Sequence, residues 1–342
     1  MRAVEFGTDR TARVVDVAPP RPDAGEVTVR ITSAGVCGSD VTALRGVHPF
    51  RVPPLITGHE GGGIVTAVGD GVDPSWRGRP VALEPQRACG RCAPCTTGLV
   101  HLCRDRLMLG MAGWPGTLAE QVTAPVSCLH PVDDAVPAAL LALAEPLAVA
   151  EHAVAAGPAP RGARVAVLGG GPIGALLVHL AATGGAEHLL ATDPRAASRE
   201  ACTRVGAHAT ADPTTDGWRD AVRGDGFDLV HVAATAPGIL DDAVALLRPR
   251  GTVVVVGLFA GPVTFDVAAL QQDEKSLVGS TVYTADDFAA AARGLGEHWR
   301  TLAGLVTDGG GLDGAVAFLR AALDGRSDDV VKLLVDPADG AR

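Results

Sequence analysis

The sequence predicts an α/β chain of two domains, a doubly wound parallel sheet preceded by an irregular, mainly β domain. Three observations carry this. The stretch from Arg164 to Asp193 runs as an apolar segment, a glycine turn, a helical pattern and a second apolar segment closing on an acid, which is one β-α-β unit. The same rhythm then continues through Asp228 to Ala233, Ile239 to Leu247, Thr252 to Gly257 and Ser276 to Thr281. Before it, Glu26 to Ile31, Gly63 to Val68 and Pro80 to Leu83 are short β-type runs separated by Gly and Pro, without β-α alternation.

At 342 residues the chain is long enough for two full cores. Hydrophobic residues make up 47% and charged residues 20%, yet no uninterrupted apolar run approaches the roughly 20 residues of a membrane span. The opening MRAVEFGTDR has no apolar signal core, so the cytoplasm is the expected compartment and no membrane is expected as a partner. A net charge of -10, with no basic cluster, argues against nucleic acid as a partner. Lysine occurs only at Lys275 and Lys332 while arginine is abundant, which reads as coding bias.

The glycine turn is specific in its context. Gly169 permits a tight turn, Gly171 lets the backbone approach a pyrophosphate, and Gly174 lets the helix opened by Pro172 and Ile173 press on the strand. Asp193 falls where a carboxylate accepts hydrogen bonds from an adenine-ribose diol, so NAD is the expected cofactor. Arg195 and Arg199 keep NADP open as the alternative, although Arg195 can equally stack beside adenine.

Seven cysteines in a chain without an export signal point to metal rather than disulfides. Cys89, Cys92, Cys95 and Cys103 can close around one tetrahedral Zn²⁺ with no position left for water, which makes this lobe structural. An iron-sulfur cluster is the alternative for four cysteines. Earlier, Cys37-Gly38-Ser39-Asp40 and Gly58-His59-Glu60 offer a thiolate, an imidazole and a carboxylate, a donor set suited to zinc with an open position. Glu145, at the start of an apolar helical pattern from Leu147 to Ala156, either satisfies the helix dipole or serves the site.

As a set these motifs resemble the zinc-containing medium-chain dehydrogenase/reductase family, nearest its polyol branch of sorbitol, butanediol and threonine dehydrogenases. The matching pieces are GVCGSD from Gly35, the GHE signature from Gly58 to Val72, the four-cysteine lobe, EPLAVAEHAV from Glu145, VLGGGPIG from Val167 and KLLVD at 332–336. The resemblance implies a GroES-like catalytic domain at 1–149, a Rossmann NAD-binding domain at 150–283, and a tail at 284–342 that returns to the first domain through helices at Asp286 to Leu295 and Leu312 to Leu323. The active site would lie in the cleft between the domains. It implies two zinc ions per chain. The catalytic one is held by Cys37 and His59, with Glu60 a third ligand or a neighbour of the ligands and Glu145 acting at the metal. Ser39 would take the alcohol proton.

Two departures from the family pattern stand out. Thr42 replaces a histidine that passes the proton outward, leaving His48 or water for that task, and Val282 replaces an arginine that contacts polyol hydroxyls in sorbitol dehydrogenases. The expected activity is hydride transfer between NAD and a secondary alcohol of a polyol, diol or cyclitol, giving a ketone, in a homo-oligomer that is a dimer or a tetramer. The first alternative keeps this machinery for an amino-cyclitol or β-hydroxy amino acid, with Glu84 as the acid that would pair the amine. The second is a non-catalytic dinucleotide-binding protein.

Overall fold

Antiparallel pairing accounts for the β runs of the first half. The computed structural model describes residues 1–327 and 329–339. The chain divides into two units, one formed by Met1–Ala148, Thr284–Ser327 and the segment from Lys332, the other essentially by Val149–Tyr283.

In the first unit the long strand Glu26–Val36 buries Val27, Val29 and Ile31 completely. The polar pair Thr32 and Ser33 suggests an end near Ile31, yet the strand runs on to Val36. The two hydroxyls donate to the carbonyls of Ala138 (3.0 Å) and Ala139 (2.7 Å), so both residues are buried without an unsatisfied group. This strand pairs antiparallel with Glu60–Val68, with Gly35 opposite Glu60, and with Lys332–Val335, with Leu333 opposite Val36. Register therefore gathers three strand ends at one place. Cys37 follows Val36, His59 precedes Glu60, and Lys332 opens the last strand. Gly35 makes the room, since a Cβ there would stand 1.9 Å from Glu60 Oε2.

The helix Ala285–Leu302 is longer than the Asp286 to Leu295 pattern suggests. Thr284 and Asp287 close a capping box at its start, and Gly294 and Gly296 pass through without breaking it. The stretch Ala138–Ala155 is apolar enough over its 18 residues to cross a membrane by length and hydropathy, although it is not uninterrupted. It is 61% buried within the fold and carries Glu145 and Glu151.

The second unit is a six-stranded, all-parallel sheet. Its order is Ala209–Ala211, His188–Thr192, Arg164–Leu168, Phe227–Val232, Leu247–Val255 and Ser276–Gly279. That is the doubly wound order, with nucleotide-binding turns at the carboxyl ends of the strands. The edge strand Ala209–Ala211 has no apolar run to announce it. Fully buried Ala166, Val230, Val253, Phe227 and Leu246 form part of the core between sheet and helices.

Candidate active site

The meeting of strand ends brings the donor atoms of Cys37, His59 and Glu60 within 4.8 Å of one another. Cys37 caps the short helix Gly38–Leu44, and its amide donates to Asp40 Oδ2 at 2.9 Å. Its thiol, buried and beside Glu60, is pushed up to about 11, while a hydrogen bond from Ser39 works the other way. Such a thiol is protonated near neutrality and becomes a ligand when a cation displaces the proton. His59 is pushed down to about 3, first by burial and then by the charge of Arg51, so its imidazole is neutral, as a metal ligand requires. Its buried Nδ1 has no hydrogen-bond partner and lies 4.0 Å from Asp40 Oδ1. A soft sulfur donor that gives up its proton to a cation, a neutral imidazole and a carboxylate at this spacing fit a zinc ion.

Glu60 is held from behind. Lys332 Nζ forms a short ion pair with Glu60 Oε2 and donates to Val36 O at 3.3 Å, with both side chains 3% exposed or less. Burial is the largest single influence and works against the lysine charge, yet Glu60, Cys37 and Glu145 together outweigh it and raise the pKa. Glu145 is buried at the start of the helix Ala144–Ala155, outside the tight group of three, and its charge also reaches Lys332. Asp40, fully buried, accepts from Arg51 Nη1 (2.6 Å) and Thr57 Oγ1 (2.8 Å).

Neither Arg51 nor Lys332 was legible as part of the site. The one signal for Lys332 was the scarcity of lysine: the chain has two, and both are buried. Thr42, which replaces the family's proton-passing histidine, and His48, the side chain considered in its stead, are both otherwise engaged. Thr42 Oγ1 donates to Ser39 O at 2.9 Å. His48 Nδ1 accepts from the amides of Phe50 (3.2 Å) and Arg51 (3.1 Å), which puts the proton of the neutral ring on Nε2 and leaves no free lone pair. Glu84, the acid considered for a substrate amine, is paired with His130 at 3.0 Å.

The four-cysteine lobe is assembled. Sγ atoms are 3.4 Å apart for Cys92 and Cys95, 3.8 Å for Cys92 and Cys103, and 3.9 Å for Cys89 and Cys95. A tetrahedron with Zn–S bonds of about 2.3 Å has edges of about 3.8 Å, so the spacing suits one zinc. An iron-sulfur cluster sets its own iron and sulfide atoms between the thiolates and needs them farther apart. Backbone amides of Arg91 and Cys92 lower the Cys89 thiol toward its thiolate form.

In the second unit, Gly169 adopts φ +101°, and a Cβ on Gly174 would stand 1.7 Å from Gly169 O, so the helix Pro172–Thr183 packs on the turn itself. Gly171 caps that helix, with Pro172 at its first position followed by Ile173. Asp193 is tied into the turn: Oδ2 accepts from the Gly170 amide (2.9 Å), Oδ1 from the Arg195 amide (2.9 Å) and Nε (3.3 Å). Arg199 Nη1 is committed to Asp193 O, Pro194 O and Asp212 Oδ2. A pocket of about 80 Å³ beside Asp193 is walled by Pro194, Pro213, Trp218, Ala236 and Ile239.

Residues 23–134 match the alcohol dehydrogenase GroES-like domain and residues 172–296 the zinc-binding dehydrogenase domain. The chain belongs to the zinc-containing medium-chain dehydrogenase/reductase family, in its polyol branch. It is a nicotinamide-dependent zinc alcohol dehydrogenase that interconverts a secondary alcohol and a ketone. It is 31% identical over 292 residues to 2-dehydro-3-deoxy-L-galactonate 5-dehydrogenase of Pseudoalteromonas atlantica, covering 84% of this chain and 85% of that one. Among solved structures it is similar to a zinc-binding dehydrogenase of Sinorhizobium meliloti bound to NADP (29% identity, TM-score 0.86, covering 98% and 99%). It is also similar to an alcohol dehydrogenase of Escherichia coli complexed with NADH (26% identity, TM-score 0.89, covering 98% and 99%).

Proposed function

We propose that the chain oxidises a secondary hydroxyl of a polyol, diol or cyclitol with NAD, using a zinc ion held by Cys37, His59 and a glutamate, while a second zinc braces the four-cysteine lobe. The observation that carries this is the convergence of Cys37, His59 and Glu60 with the buried Lys332 behind them. Because Lys332 neutralises Glu60, Glu145 is the carboxylate we assign to the metal, with Glu60 the neighbour that exchanges with it. Zn²⁺ with Cys37 and Glu145 is then formally neutral. The metal supplies Lewis acidity, which lowers the pKa of a hydroxyl and polarises a carbonyl. Ser39, in the first turn after Cys37, receives the hydroxyl proton and passes it to water, since Thr42 and His48 are engaged with backbone groups. A nicotinamide bound at the glycine turn would accept the carbinol hydride, leaving a ketone.

NAD rather than NADP is supported by the Asp193 carboxylate, which retains lone pairs for a ribose diol and repels a 2′-phosphate, and by the commitment of Arg199. The polyhydroxylated substrate class is supported by the sugar-acid relative. A homo-oligomer is supported by the outer edge of the parallel sheet. There, among the described residues, the strand Ser276–Gly279 has no partner on its outer side; Leu277 on it is exposed, as are Leu258, Val263 and Val267 in the segment of chain that leads to it. The seven free cysteines support a reducing compartment, the cytoplasm.

The test is zinc content of the wild type and Cys37→Ala, alongside NAD⁺ reduction with a panel of diols, polyols, cyclitols and amino alcohols. About two zinc ions per chain falling to one, with activity lost, is the expected result. One zinc unaffected by the substitution, with no alcohol oxidised, would overturn the reading.

A further inference from the structure

Between the two donor segments the chain makes a loop, and its Arg51 turns inward. The guanidinium is 3% exposed and its partner Asp40 is not exposed at all. Asp40 touches both segments. Oδ2 accepts the amide of Cys37, and Oδ1 accepts the hydroxyl of Thr57, two residues before His59. Arg51 Nη1 binds the same Oδ1 at 2.6 Å. The loop that delivers it is fixed as well, because His48 Nδ1 accepts the amides of Phe50 and Arg51. A carboxylate this deeply buried is strongly disfavoured without its cation. Deprived of Arg51, the buried carboxylate would turn toward water and release one or both segments.

We propose that Arg51 is a positioning residue for the metal site: its buried guanidinium fixes Asp40 as the clasp that keeps the Cys37 and His59 segments together. This rests on Cys37 and His59 being zinc ligands. The role is separable from packing, because an asparagine at position 40 can keep its Oδ1 on the Cys37 amide while its Nδ2 donates to the Thr57 hydroxyl, which turns to accept, and it has no charge to balance.

The test compares wild type, Arg51→Met and the double variant Asp40→Asn/Arg51→Met, each purified with zinc and titrated with a chelator. The four-cysteine zinc serves as internal reference. Arg51→Met is expected to hold its second zinc at least tenfold more weakly, in the range found for residues behind metal ligands, with the reference zinc unchanged. The double variant is expected to recover to within about threefold of wild type. An Arg51→Met protein that retains both ions as tightly as wild type overturns the proposal. So does a double variant as weak as the single one, and that arm decides alone if Arg51→Met does not fold. A wild type without any zinc beyond the lobe would instead overturn the reading of the site on which this rests.

Discussion

His231 sets a stability cost that acid exposes. It lies in the middle strand Phe227–Val232, opposite Val167 and Val254, fully buried, and neither ring nitrogen has a hydrogen-bond partner. Burial lowers its pKa from 6.5 to about 4. The unfolded chain therefore takes up this proton as pH falls through 6.5, whereas the folded chain resists until about 4. Across that window folding loses about 3 kcal/mol from this one residue, with a slope of up to about 1.4 kcal/mol per pH unit. At pH 7 the neutral ring still carries two desolvated polar atoms, a burden of about 1–3 kcal/mol. His231→Leu, close in volume, should therefore be as stable as wild type or more so at pH 7, and its advantage should grow by about 3 kcal/mol between pH 6.5 and 4. Urea unfolding at half-unit pH steps, read as the difference between the two proteins, cancels the other histidines. A difference that stays flat from pH 6.5 to 4, or a variant more than about 2 kcal/mol less stable at pH 7, would refute the reasoning.

Lys332→Met leaves Glu60 buried without its cation and should cost about 3–5 kcal/mol in urea unfolding, most of which Glu60→Gln in the same chain should restore; equal midpoints for the single variant and wild type would count against the pairing. Asp193→Ala removes the acceptor assigned to the ribose diol. NADH binding, followed by fluorescence titration, should weaken roughly 10- to 100-fold while NADPH is affected far less; equal losses for both would place the discrimination elsewhere.

Much of the architecture and most of the donors could be read from the chain, because both rest on local patterns. The glycine turn with its helix and closing acid, the cysteine spacing and the CGSD and GHE motifs each lie within a few residues of sequence. What escaped depends on partners far away. Thr32 and Ser33 look like the end of a strand until the carbonyls of Ala138 and Ala139 reach them. Arg51 looks like a solvent-facing residue of a polar loop, and Glu84 like a free acid, until Asp40 and His130 take them up. Lys332 is separated from Glu60 by 272 residues, so only the register of Glu26–Val36 between its two neighbours unites them. The strand Ala209–Ala211 was invisible for a different reason, being a short edge with little to bury.

The threading of the first unit through both ends of the chain fixes an order of events on the ribosome. The parallel-sheet unit is almost contiguous, and once residue 283 has emerged it holds all its strands. The unit begun earlier must wait, with the edge of Glu26–Val36 uncovered and Glu60 lacking its cation, until Lys332–Val335 has emerged. The portion translated first is thus the last to mature, and for that interval its unpaired strand edge is open to chaperones and to aggregation. A chain cut before Lys332 would spare the nucleotide fold yet leave the first unit permanently unfinished.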